Sequence, residues 1–125
     1  MNTILLVDDH HALRTVFAEI LRQRGHTVLE AGTRADVEHL TDRHPDPIDL
    51  AVIEAVLSTD NGIELAKRIG TRYPNARILF VSEDEPHALR MHGLLPSGAA
   101  FLRKPFSAEE FCNRAESLLG VPATR

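Results

Sequence analysis

Four uninterrupted apolar runs mark the chain: Ile4 to Val7 (ILLV), Leu50 to Ile53 (LAVI), Ile78 to Val81 (ILFV) and Ala99 to Leu102 (AAFL). A weaker one, Thr27 to Ala31 (TVLEA), falls between the first two. The runs do not alternate polar with apolar. Strands covered on both faces read this way, and such strands belong to parallel sheets. The segments between them carry helical spacing instead. His11 to Arg24 puts Leu13, Val16, Phe17, Ile20 and Leu21 on one face, with Gly25 as a stop. Thr33 can cap a helix carrying Val37 and Leu40, which must end before Pro45 and Pro47. Asn61-Gly62 turns the chain into a helix over Ile63 to Tyr73, with Ile63, Leu65, Ala66 and Ile69 apolar. Pro86 can open a helix that runs to about Leu95, before Pro96 and Gly98. Ser107 can cap the last helix, with Glu109 and Glu110 in its first turn and Phe111, Cys112, Ala115, Leu118 and Leu119 turned inward.

Strand and helix thus alternate five times without a linker or repeat. That order predicts an α/β domain: a parallel sheet with helices on both faces and right-handed crossovers. In such open sheets the working site lies at the carboxyl ends of the strands. Asp8 and Asp9 follow the first strand, Glu54 ends the third, Ser82 ends the fourth, and Arg103, Lys104 and Pro105 follow the fifth.

Composition narrows the picture. A length of 125 residues suits one domain spanning 1–125. The formal charge of −4, with no basic stripe, argues against nucleic-acid binding by this domain. Cys112 is the one cysteine, so an internal disulfide is excluded and a reducing compartment is expected. The opening MNTILLVDDH lacks a basic leader and its apolar run stops at Asp8; no run is long enough to cross a membrane. A cytoplasmic location is expected. The ending GVPATR suits either a stand-alone chain or a cut at a linker.

The strand-end residues carry the chemistry. Three acids with no glycine-rich nucleotide loop suit a hard cation such as Mg²⁺. A hydroxyl and an ammonium beside them suit a phosphoryl group. Each residue alone has a plainer reading: Asp8-Asp9 as helix caps, Glu54 as a solvated loop acid, Ser82 as a strand-end cap and Lys104 as a surface lysine. Their convergence favours a site. The seven histidines show no metal-binding spacing, and Cys112 falls in core register.

At these residues the chain resembles the receiver domain of two-component response regulators. The matching pieces are ILLVDD, DLAVIE, Asn61-Gly62, ILFVS and GAAFLRKPF, in order along nearly the whole chain. The resemblance implies a flavodoxin-like (βα)5 fold with strand order 2-1-3-4-5. It implies that Asp8, Asp9, the acceptor position Glu54 and the backbone carbonyl of Val56 hold Mg²⁺. Ser82 and Lys104 would contact the phosphoryl group, Ser82 and Phe101 would switch together, and Lys104-Pro105 would be cis. It implies a sensor histidine kinase or another signalling protein as partner. An output protein or a second copy would use the fourth helix, fifth strand and fifth helix, where His87, Arg90, His92, Glu109 and Arg114 are the candidates.

Three positions depart from the family pattern. Glu54 stands where the family has aspartate, Glu83 where it has a small residue at the entrance, and Leu57-Ser58 where it has Met-Pro. The departures predict a non-enzymatic signalling module that is phosphorylated weakly or not at all and acts by binding. Glu54, ion-paired to Lys104 and accepting a hydrogen bond from Ser82, would imitate the phosphorylated state in part. The alternatives are a working phosphorelay receiver that tolerates glutamate and, more remotely, a small Mg²⁺-dependent phosphohydrolase.

Overall fold

A computed structural model describes residues 2–58 and 60–120; the GVPATR ending beyond Gly120 lies outside them. Strands β1 (Thr3–Val7), β2 (Thr27–Ala31), β3 (Leu50–Glu54), β4 (Arg77–Ser82) and β5 (Ala100–Arg103) alternate with helices α1 (His11–Gln23), α2 (Arg34–Arg43), α3 (Gly62–Arg72), α4 (Pro86–Met91) and α5 (Ala108–Leu119). All strand pairs are parallel, in the order β2-β1-β3-β4-β5. This is the expected flavodoxin-like arrangement.

The continuous apolar runs have a direct cause. Ile4, Leu6, Leu50 and Val52 face a core shared with Ala18 and Leu21 of α1 and Phe111, Cys112 and Ala115 of α5. Their neighbours Leu5, Val7, Ala51 and Ile53 face the opposite core, with Val37 of α2, Leu65 and Ile69 of α3 and Leu89 of α4. Side chains alternate across a strand, so two covered faces leave no polar position. β3 is buried along its whole length, Glu54 included.

The helix starts follow the predicted caps. Thr33 Oγ1 accepts from Asp36 N, Asn61 Oδ1 from Ile63 N, and Ser107 forms a reciprocal capping box with Glu110. Two expectations fail. α4 ends at Met91, not near Leu95. Gly93 takes φ +70°, and the bonds Gly93 N–Arg90 O (3.1 Å) and Leu94 N–Leu89 O (2.8 Å) close the helix as a Schellman motif. Leu95 is buried nonetheless, from the loop. Val16 is 55% exposed rather than on the inner face of α1. The buried stripe runs through Ala18 and Leu21, with Arg14 half-buried beside it, and Val16 falls on the other side of the helix.

Candidate functional site

The carboxyl edge of the sheet gathers several of the predicted residues around one ammonium group. Lys104 is fixed by its backbone, whose N–H donates to Ser82 O at 2.8 Å just beyond the β4–β5 ladder. Its Nζ donates to Asp8 Oδ2 at 2.8 Å and to Glu54 Oε1 at 3.0 Å. Asp8 and Glu54 are 6% and 9% exposed, so both carboxylates meet the lysine largely out of water. Burial pushes the Glu54 carboxyl up to about 7; Lys104 opposes the rise, while the charges of Asp8 and Asp9 add to it. Burial would lower the Lys104 ammonium, but its bonds to Asp8 and Glu54 win and hold it above its ordinary value.

Local structure holds these groups in register. Glu54 pairs with Val81 in the β3–β4 ladder. Gly62 opens α3 directly over it: a Cβ there would sit 2.2 Å from the Glu54 carbonyl oxygen and 2.9 Å from that of Ala55. Only glycine permits this approach. Arg14 Nη1 donates to the Asp8 carbonyl at 2.8 Å, and its Nε to Glu30 Oε1 at 3.1 Å, which ties the end of β1 to α1 and β2. Neither aspartate caps α1. That position belongs to His10, whose Nδ1 accepts from Leu13 N, while Asp8 Oδ1 accepts from His10 N at 2.9 Å.

Other predicted residues stand apart from the cluster. Asp9 is exposed and turned to the β3–α3 loop, where its Oδ2 accepts from both the backbone N–H of Ser58 (2.7 Å) and the Ser58 hydroxyl. That hydroxyl bond is the main reason its carboxyl lies below the ordinary value. Ser82 is buried, but its Oγ accepts from Asp84 N at 3.2 Å and makes no bond to Glu54 among the described residues. The expected Ser82–Glu54 hydrogen bond is therefore absent. The hydroxyl satisfies the turn after β4 instead, a common local competitor for serine. Phe101 is half-buried opposite Phe80, packed against the core on the α2–α4 side. The Lys104–Pro105 bond is cis. Val56 sits in an isolated bridge with Asn61. Glu83 is exposed and lines a cleft of about 440 Å³ with Leu13, Phe17, Lys104, Pro105 and Phe106.

The donor set fits a hard cation in kind. Asp8, Asp9, Glu54 and the Val56 carbonyl offer oxygen only, and the buried Glu54 Oε2 has no hydrogen-bond partner among the described residues. As they stand, no three acidic, histidine or cysteine side chains among the described residues form a metal-holding group. Lys104 engages one oxygen each of Asp8 and Glu54, and Ser58 engages Asp9.

Sequence reasoning passed over Arg14, His10 and the role of Ser58. Arg14 looks like a surface charge at its helical position, and nothing in the sequence ties Ser58 to Asp9, 49 positions earlier. The Leu57-Ser58 departure was the available signal for the latter.

A model of the response regulator receiver domain matches residues 4–116 of the chain. The chain is 29% identical to the sensor kinase CckA of Brucella abortus (strain 2308), covering 94% of this chain and 12% of that protein. It is also 29% identical to the response regulator receiver protein CpdR of the same strain, covering 95% of this chain and 98% of that one. Among solved structures, the non-phosphorylated HemR receiver domain from Leptospira biflexa superposes with a TM-score of 0.77 at 30% identity, covering 100% and 99% of the two chains. The chain spans between about a quarter and a half of the length of the transcriptional regulators it matches.

Proposed function

The chain belongs to the response regulator receiver domain family, and from that premise we propose a receiver whose acceptor position is Glu54, phosphorylated weakly or not at all, that acts by binding other proteins. Receiver domains are signalling modules rather than enzymes in general, and they interact with histidine kinases and output domains. In that chemistry an acceptor carboxylate attacks the phosphorus of a phosphohistidine, while a cation and a lysine neutralise charge.

The contact between Lys104 Nζ and Glu54 Oε1 at 3.0 Å carries the reading. Glutamate extends the carboxylate by one C–C bond, about 1.5 Å, and a misplacement of about 1 Å can lower a rate on the order of 10²-fold. Here the extra length ends on the ammonium that would otherwise meet phosphoryl oxygens. With a carboxyl titrating at about 7, much of Glu54 is also protonated at neutral pH and is no nucleophile in that form. The exposed Glu83 carboxylate repels an incoming phosphate. The family's Mg²⁺ would be held by Asp8, Asp9, Glu54 and the Val56 carbonyl, weakly, because Lys104 and Ser58 already engage those acids. When bound it would supply charge neutralisation at the phosphoryl oxygens.

Imitation of the phosphorylated state is incomplete, since Glu54 pairs with Lys104 but not with Ser82. Partner binding is assigned to the α4–β5–α5 face, where His87, Arg90, His92, Glu109 and Arg114 are all exposed. The partner would be a sensor kinase, another signalling protein, an output protein or a second copy of the chain. We place the protein in the cytoplasm; no helix among the described residues is long and apolar enough to cross a membrane.

Incubation with Mg²⁺ and a small phosphodonor, read by intact mass, tests the proposal. The wild-type chain should gain little or nothing, and Glu54→Asp should gain one phosphoryl group if Glu54 is the only lesion. A stable Mg²⁺-dependent gain on Glu54 itself would establish the alternative, a working phosphorelay receiver.

A further inference from the structure

Ser58 and Asp9 lie far apart in sequence, yet two donors of Ser58 converge on one oxygen of Asp9. The backbone N–H reaches Oδ2 at 2.7 Å, and the hydroxyl reaches the same atom. Both residues are exposed, so water was available to each of these groups. The contact therefore selects one orientation of the carboxylate, over the β3–α3 loop. At the same edge Glu54 is nine-tenths buried and its Oε2 has no partner among the described residues. One acid has an oxygen engaged by Ser58, and another has a buried oxygen without a hydrogen-bond partner among the described residues.

We propose that Ser58 is a latch that withholds Asp9 from a divalent cation. Binding of the ion requires Asp9 Oδ2 to leave both Ser58 donors, and the bound ion then meets the unpartnered oxygen of Glu54. The inference rests on reading this edge as a receiver's cation site. The latch depends on a departure from the family pattern. The family pattern has proline where Ser58 stands, and proline has neither a backbone N–H nor a hydroxyl to donate. Asp9 in such a chain is free to turn to the ion; here it is held until the ion outcompetes two charge-assisted hydrogen bonds.

The test is a Mg²⁺ titration of the ¹⁵N-labelled chain without phosphodonor, following the amides of Asp9, Glu54 and Ser58. Ser58→Ala removes the hydroxyl bond, and Ser58→Pro removes both. From the ordinary strength of charge-assisted bonds, reduced for exposure, Kd should tighten by about three- to tenfold in Ser58→Ala and by more in Ser58→Pro. In the wild-type chain the Ser58 amide should shift along the same isotherm as Asp9. Wild-type Kd in Ser58→Ala, with a well-dispersed spectrum, overturns the latch. So does Mg²⁺ saturation with the Ser58 amide unmoved, or an absence of binding in all three proteins, since something other than Ser58 would then exclude the ion. Phosphoryl gain on Glu54 would instead sink the silent-receiver reading and leave these affinities untouched.

Discussion

Replacing Glu54 by glutamine should make the protein progressively more stable than wild type as pH rises. In the unfolded chain the Glu54 carboxyl titrates at its ordinary value of 4.5; in the fold, burial carries it to about 7. The folded state thus holds the Glu54 proton more tightly. Its contribution to stability is fully present below about pH 4.5 and is lost as pH rises through about 7. At about 1.4 kcal/mol per pH unit, that loss is on the order of 3 kcal/mol, of which about 2.5 kcal/mol falls between pH 5 and 8.5. Glu54 is 9% exposed, so solvent screens little of it, and total stabilities are only about 5–15 kcal/mol. Lys104 does not enter this window. Its elevated ammonium contributes stability below its ordinary value of 10.5 and loses it only above. Asp9, held low by Ser58, loses its contribution only as pH falls below its ordinary 3.8.

Urea unfolding of wild type and Glu54→Gln at several pH values measures that difference. Glutamine can still accept from Lys104, and Asp8 remains at 2.8 Å, so a constant offset between the two curves is unimportant. The slope decides. At an m-value of about 1–3 kcal/mol/M, the gap between midpoints should widen by about 1–2 M from pH 5 to 8.5. A gap that stays constant over this range, or a Glu54 carboxyl resonance that titrates near 4.5, refutes the burial argument and with it the protonated fraction invoked against phosphotransfer.

Two further substitutions probe what holds the cluster. Lys104→Met leaves Asp8 and Glu54 buried together without their cation and should destabilise by about 3–5 kcal/mol at pH 8, less at pH 5 where Glu54 takes up a proton; equal losses at both pH values in urea unfolding would contradict the shared-ammonium picture. Gly62→Ala drives a Cβ into the backbone carbonyls of Glu54 and Ala55 and should lower stability by more than about 2 kcal/mol while shifting the Glu54 amide in ¹⁵N spectra; a neutral change with an unmoved amide would show that α3 does not pin Glu54.

How much of this was legible in the sequence follows from the range of the forces involved. Ile4 to Val7 declares its own environment, because a strand with two covered faces has no position for a polar residue. Caps such as Thr33 and Ser107 are equally local, each set by a partner three residues on. The early end of α4 was also local, but Leu94 and Leu95 continue the apolar pattern beyond Gly93 and hid the stop. The site depends on longer reach. Written in a row, Asp8, Asp9 and Glu54 are three similar acids at strand ends, and strand topology alone brings them to one edge. What separates them is water and donors. Asp8 and Glu54 lose their water and share Lys104, contributed by the turn after β5, and burial pushes Glu54 toward neutrality against the pull of that ammonium. Asp9, one residue beyond Asp8, keeps its water and takes two donors from Ser58. Neighbours in sequence therefore belong to different electrostatic environments, and the number of acids at the edge says less about cation binding than which of them a lysine or a serine already holds.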